Sequence, residues 1–111
     1  MAVSDGFLEY VLDQLARWGG VSARKMFGCA GLYRDGMMFG VISNDVVYFK
    51  VDDTNREKYE AEECLPFKPF PNRPTIMSFY ELPGEILENP EDLTDWAKES
   101  LEIQIQIKRK T

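Results

Sequence analysis

The sequence predicts an α+β domain of order α-β3-α-β2-α, and three observations carry that prediction. Apolar residues recur every three to four positions at both ends of the chain. Between them the period falls to two and is broken by turn dipeptides. The chain has 111 residues, 44% of them hydrophobic and 29% charged, which suits one domain over 1–111 with a packed core.

The first helix is expected over Ser4 to Trp18. Phe7, Leu8, Val11, Leu12 and Leu15 draw one apolar stripe, with Glu9, Asp13, Gln14 and Arg17 opposite. Ser4 or Asp5 suits its N-cap, and Gly19-Gly20 ends it. Three strands follow, roughly 24–34, 37–43 and 46–51. Asp35-Gly36 is the signature of a type I′ hairpin and Asn44-Asp45 a weaker turn. In the third strand Val47, Phe49 and Val51 share a face opposite Val46, Tyr48 and Lys50, the pattern of a meander with one buried side.

Asp52 to Glu63 reads as a polar helix anchored by Tyr59, with Thr54 and Glu57 spaced as a capping box. Pro66 to Pro74 holds four prolines and is expected to be irregular or at a sheet edge. Thr75 to Leu82 alternates as a strand: Thr75, Met77 and Phe79 face one way, Ile76, Ser78 and Tyr80 the other. The last helix starts at Asn89-Pro90-Glu91-Asp92, a cap followed by proline and acids in the first turn. Leu93, Trp96, Ala97, Ser100 and Leu101 form its inner stripe. Ile103, Ile105 and Ile107 alternate like a strand, so the helix is expected to reach about residue 103 and then fray or extend.

Charge narrows the partner class. Nineteen acids against thirteen bases give −6, and the acids gather in 81–102. Duplex binding draws mainly on phosphate neutralisation, so direct nucleic-acid binding is not expected. A protein partner is expected instead. The alternative is a nucleic acid held on the outer face of the sheet by Arg24, Lys25, Phe27, Tyr33, Arg34, Tyr48 and Lys50. No apolar run approaches the roughly 20 residues needed to cross a bilayer, and Met1-Ala2-Val3-Ser4-Asp5 lacks a signal-peptide pattern. A cytoplasmic protein without membrane contact is expected.

The chemistry of catalysis has little to start from. There is no histidine to pair with Cys29 or Cys64, and the two cysteines form no C-x-x-C motif. Zinc would need four N, S or O ligands. The acid pairs Asp52-Asp53 and Glu62-Glu63 suit helix ends better than a cation. Gly31 to Gly36 has P-loop glycine spacing, but Met37-Met38 stand where Lys and Ser/Thr belong. No catalytic residue, cofactor or metal is expected, and the chain is not expected to be an enzyme. Phe67, Phe70 and Arg73 in the proline-rich stretch are of types enriched at binding hot spots; the competing reading puts Phe67 and Phe70 in the core.

The run Ala23-Arg24-Lys25-Met26-Phe27-Gly28-Cys29-Ala30-Gly31-Leu32-Tyr33-Arg34-Asp35-Gly36-Met37-Met38-Phe39-Gly40 closely resembles the signature of the TfoX N-terminal domain family, the Sxy-like regulators of bacterial competence. Val47-Tyr48-Phe49-Lys50-Val51, Pro66-Phe67, Met77 to Pro83, and Leu93, Trp96 and Ala97 extend the match over nearly the whole chain. The resemblance implies a two-layer α/β sandwich with helices on one side of the sheet, similar to secretion-chaperone folds. It implies a non-enzymatic role in transcription regulation, with the transcription machinery as partner, and leaves a homodimer open. In full-length members this domain precedes a helical one, and the protein helps the cyclic-AMP receptor protein activate competence genes. The present chain is expected to stand alone as the N-terminal domain. Arg24, Met26, Phe27, Gly28, Gly31, Tyr33, Gly36, Phe39 and Gly40 carry the motif and are expected to be structural.

Overall fold

A computed structural model describes residues 4–26, 28–67 and 78–110. Its elements are α1 (Asp5–Gln14), β1 (Val21–Met26), β2 (Cys29–Arg34), β3 (Met37–Ser43), β4 (Val46–Lys50), α2 (Arg56–Ala61), β5 (Phe79–Glu81), α3 (Gly84–Leu87) and α4 (Pro90–Lys110). The strands form one antiparallel sheet in sequence order, β1 to β5. The α+β class and antiparallel meander are as the sequence predicts. The strand count differs. The segment read as one strand over 24–34 folds back on itself at Gly28, whose φ is +77°, and pairs as β1 with β2.

Both predicted hairpin turns form. Asp35 and Gly36 have φ of +54° and +78°, Asn44 and Asp45 +53° and +57°. Two successive positive φ values define type I′, whose twist matches that of the strands it joins. A bulge shifts the register between β2 and β3, because Leu32 faces Gly40 while Tyr33 faces Met38. Phe39 is the extra residue. It is fully buried and meets Trp18 and Phe49 edge-on, with ring centroids 5.4 and 5.6 Å apart.

The helices share one side of the sheet. Val11 and Leu15 follow the α1 stripe, Tyr59 anchors α2, and Leu93, Ala97 and Leu101 line α4; all pack on Ala30, Leu32, Ile42, Val47, Phe49 and Val51. Truncating a side chain such as Phe39 here should cost about 3–5 kcal/mol. A smaller cluster of Val41, Phe67 and Phe79, with Cys29, Met38 and Tyr48 against it, sits on the opposite face.

Helix ends show local competition for hydrogen bonds. Ser4 Oγ accepts from Phe7 N, and Asn89 Oδ1 accepts from Glu91 N and Asp92 N, as their sequences predict. The expected box at Thr54 and Glu57 does not form. Asp52 Oδ1 accepts from both Thr54 N and Thr54 Oγ1, which engages that hydroxyl, and α2 starts after Asn55. Asn55 is buried; its Oδ1 accepts from Asp52 N and its Nδ2 donates to the Lys50 carbonyl.

Two further elements depart from expectation. α1 closes at Gln14, with turns leading to Gly19 and Gly20. α4 runs unbroken through Ile103, Ile105 and Ile107 instead of turning strand-like. Ile103 is buried and Gln104 Nε2 donates to the Met38 carbonyl 2.6 Å away, so the sheet supports the helix beyond its first stripe. Of the expected strand 75–82, β5 takes Phe79–Glu81; Thr75, Ile76 and Met77 lie outside the described residues.

Candidate interaction surface

Several signature residues have a visible place in the fold. Gly36 supplies the positive φ of its turn, and Phe39 fills the core. A Cβ on Gly40 would stand 2.9 Å from the Phe49 ring and 3.0 Å from the Tyr48 carbonyl. On Gly31 it would meet Tyr33 at 2.8 Å and the Met38 sulfur at 3.0 Å, so both glycines permit close approach. Tyr33 lies beside Gly31, with the Arg24 guanidinium 5.9 Å from its ring centroid. Met26 ends β1, Gly28 makes the bend, and Phe27 lies outside the described residues.

The proline-rich segment divides. Phe67 is 6% exposed and sits with Val41 and Phe79, its ring centroid 4.7 Å from that of Tyr48. It occupies core, not open surface. Phe70 and Arg73 lie outside the described residues. Pro66 and Phe67 do run along the sheet edge: Pro66 bridges Tyr80, Phe67 N donates to Phe79 O at 2.7 Å, and Glu81 N donates to Leu65 O at 2.9 Å. Leu65 is left 67% exposed beside them.

The cations proposed for a nucleic-acid face are spread over both sides of the sheet. Strand alternation places Arg24, Tyr33, Tyr48 and Lys50 on the outer face. Lys50 is half-buried with its ammonium 5.4 Å from the Phe79 ring centroid, and burial lowers its pKa. Burial and the neighbouring Glu81 raise the Tyr48 hydroxyl above its ordinary value. Lys25 turns to the helix side and donates to Asp5 Oδ1. Arg34 stacks 4.5 Å from the Trp18 ring centroid while its Nε donates to the Gly19 carbonyl. These positions do not combine into a basic stripe tracking a phosphate backbone.

Acids dominate α4 as far as residue 102, where Glu91, Asp92, Asp95, Glu99 and Glu102 are exposed. Its first turns and Arg17-Trp18 border an open cleft of about 520 Å³, lined also by Thr94 and Lys98. Among the described residues no group of three His, Cys, Asp or Glu side chains is placed to hold a metal. Burial pushes the Cys64 thiol up to about 11, so it stays protonated at neutral pH and is a poor nucleophile. No helix among the described residues is long and apolar enough to cross a membrane.

The family model of the TfoX N-terminal domain matches residues 13–103, from the end of α1 into α4. The chain belongs to the TfoX N-terminal domain family. No curated protein matches it. In this TfoX N-terminal domain Gly28 and Gly36 lie at the bends of the β1–β2–β3 meander, Gly31 and Gly40 at its close contacts, and Phe39 in its core. Sequence reading did not anticipate the β1–β2 hairpin, and so did not see β1 as a separate outer strand. The signal that could have found it is Gly28, four residues before Leu32 within an otherwise unbroken strand pattern.

Proposed function

We propose that this TfoX N-terminal domain is a non-enzymatic protein-interaction module that acts in transcription regulation. The observation carrying the reading is family membership over residues 13–103, because the resemblance brings a role exercised through another protein. Physical features agree with it. The net charge of −6 opposes a phosphate backbone, and the signature residues Gly31, Phe39 and Gly40 sit in close packing. A nucleic acid on the outer face is disfavoured by the partial burial of Lys50 and by Glu81 across from Tyr48.

Affinity capture on the tagged whole chain tests the reading, paired with titration of a labelled 30-base-pair duplex at about 0.15 M salt. The expected result is a protein retained at stoichiometric level, with no duplex binding below the micromolar range. Submicromolar, salt-sensitive duplex binding would replace the reading with the nucleic-acid alternative.

A further inference from the structure

The two edges of the sheet are treated differently. The β5 edge is closed by residues 65–67, which contribute two backbone hydrogen bonds and a proline. At the β1 edge no described residue bonds the outward backbone groups. The register identifies those groups. Met26 pairs with Cys29 at the closed end of the β1–β2 hairpin, so Met26, Arg24 and Ser22 exchange hydrogen bonds with β2. The N–H and C=O of Val21, Ala23 and Lys25 therefore point away from the sheet.

We propose that β1 takes an extended acidic segment of a partner protein as a sixth strand, its backbone on Ala23 and Lys25 and a carboxylate beside Arg24. Strand addition of this kind draws affinity from main-chain bonds and selectivity from side chains along the edge. The edge is basic. Arg24 is exposed on the outer face, and Lys25 on the other side is 57% exposed in a pair with an Asp5 that is itself 84% exposed. Water-exposed pairs of this sort are weak and exchange readily.

The same charges select the occupant. A second copy pairing antiparallel about Ala23 would set the two Arg24 side chains diagonally across the seam on one face, a like-charge contact of the kind that keeps edges from joining. An acidic strand meets attraction instead. The overall −6 does not cancel it, because α4 packs over β3 and β4 and β3 lies two strands away, about 10 Å from β1. Screening at physiological salt acts over about 8 Å, so the nearest charges decide.

The proposal rests on the interaction-module reading and specifies its surface, and the test separates the two. The isotope-labelled whole chain is titrated with a ten-residue acetylated peptide alternating valine and glutamate, then with its lysine counterpart. The glutamate peptide should shift the amides of Val21, Ala23 and Lys25 and slow their exchange with solvent, while Ser22 and Arg24 are already protected. It should bind about fivefold or more tightly than the lysine peptide, and Arg24→Glu should reverse that order. Ala23→Pro removes an outward N–H without touching the β2 ladder, so it should keep its melting temperature and lose the peptide. If that variant melts early, the amide shifts of the unaltered chain decide. Equal binding of the two peptides, no shift at β1 up to millimolar peptide, or a dimer through β1 before peptide is added overturns the proposal. A captured protein partner that Ala23→Pro retains overturns the edge assignment alone; absence of any partner overturns the interaction reading itself.

Discussion

Replacing Gly40 with alanine should destabilise the domain far more than the same change at Gly31, although both glycines crowd their neighbours to a similar distance. The added Cβ at Gly40 meets the Phe49 ring at 2.9 and 3.2 Å and the Tyr48 carbonyl at 3.0 Å. Phe49 is fully buried against Phe39, and the carbonyl belongs to a strand held on both sides, so neither can retreat cheaply. Overpacking of that kind costs about 1–3 kcal/mol. At Gly31 the obstacles are the Tyr33 ring at 2.8 Å and the Met38 sulfur at 3.0 Å, both ends of flexible side chains on the half-buried outer face. Their rotation relieves the contact, while the lower backbone entropy of alanine in the unfolded chain returns about 0.4–1 kcal/mol at either site and so does not separate the two. The expected cost is below about 1 kcal/mol there, again as overpacking less the entropy gain. Urea melts read the difference directly as a shift in midpoint at constant slope. In thermal melts the overpacking at Gly40 should lower the midpoint by up to roughly 12 °C before that gain, taking about 4 °C per kcal/mol for a domain near this size. Equal losses at the two sites would refute the distinction between a backbone obstacle and a mobile one.

Gly36→Val forces a β-branched residue to a φ of +78° and should cost about 1–2 kcal/mol or more; an unchanged denaturation midpoint would mean the turn tolerates it. Tyr59→Phe should be neutral or slightly stabilising, since the Tyr59 hydroxyl is buried with no hydrogen-bond partner among the described residues; a loss above about 1.5 kcal/mol would reveal a bond that matters. Asn89→Ala removes the acceptor for two N–H groups of α4 and should cost about 1 kcal/mol, read by thermal melting against an Asn89→Asp control. Lys25 lowers the Asp5 pKa, first by its hydrogen bond and then by its charge. A lowered carboxylate contributes stability above its unfolded value of 3.8 and loses it as pH falls through the folded value. The advantage of the unaltered chain over Asp5→Asn should therefore be small, present at pH 5, and shrink on acidification below about pH 4; a gap that widens there contradicts the pair.

Legibility in the sequence followed how local each signal is. Type I′ turns at Asp35-Gly36 and Asn44-Asp45, and the caps at Ser4 and Asn89, depend on a few adjacent residues and were readable. The β1–β2 bend was hidden because apolar Met26 and Phe27 precede Gly28, so the strand pattern runs through it without an Asn or Asp to mark the turn. The α4 extension was hidden for the opposite reason. Isoleucines two apart imitate a strand, and only the tertiary bond from Gln104 to Met38 and the burial of Ile103 show the helix winning. Thr54 lost its predicted capping role to a side chain two residues away, Asp52. For the candidate surface, aromatic and cationic types were visible, but which face each occupies depended on the register: Phe67 went to core, Lys25 and Arg34 to the helix side.

This TfoX N-terminal domain is proposed to act by binding protein. The most direct measurement is capture of the tagged whole chain from a lysate of its native cell, divided into nuclease-treated and untreated halves. One stoichiometric protein partner of equal abundance in both halves is the expected result. Loss of that partner on nuclease treatment, with nucleic acid recovered from the untreated half, would contradict it.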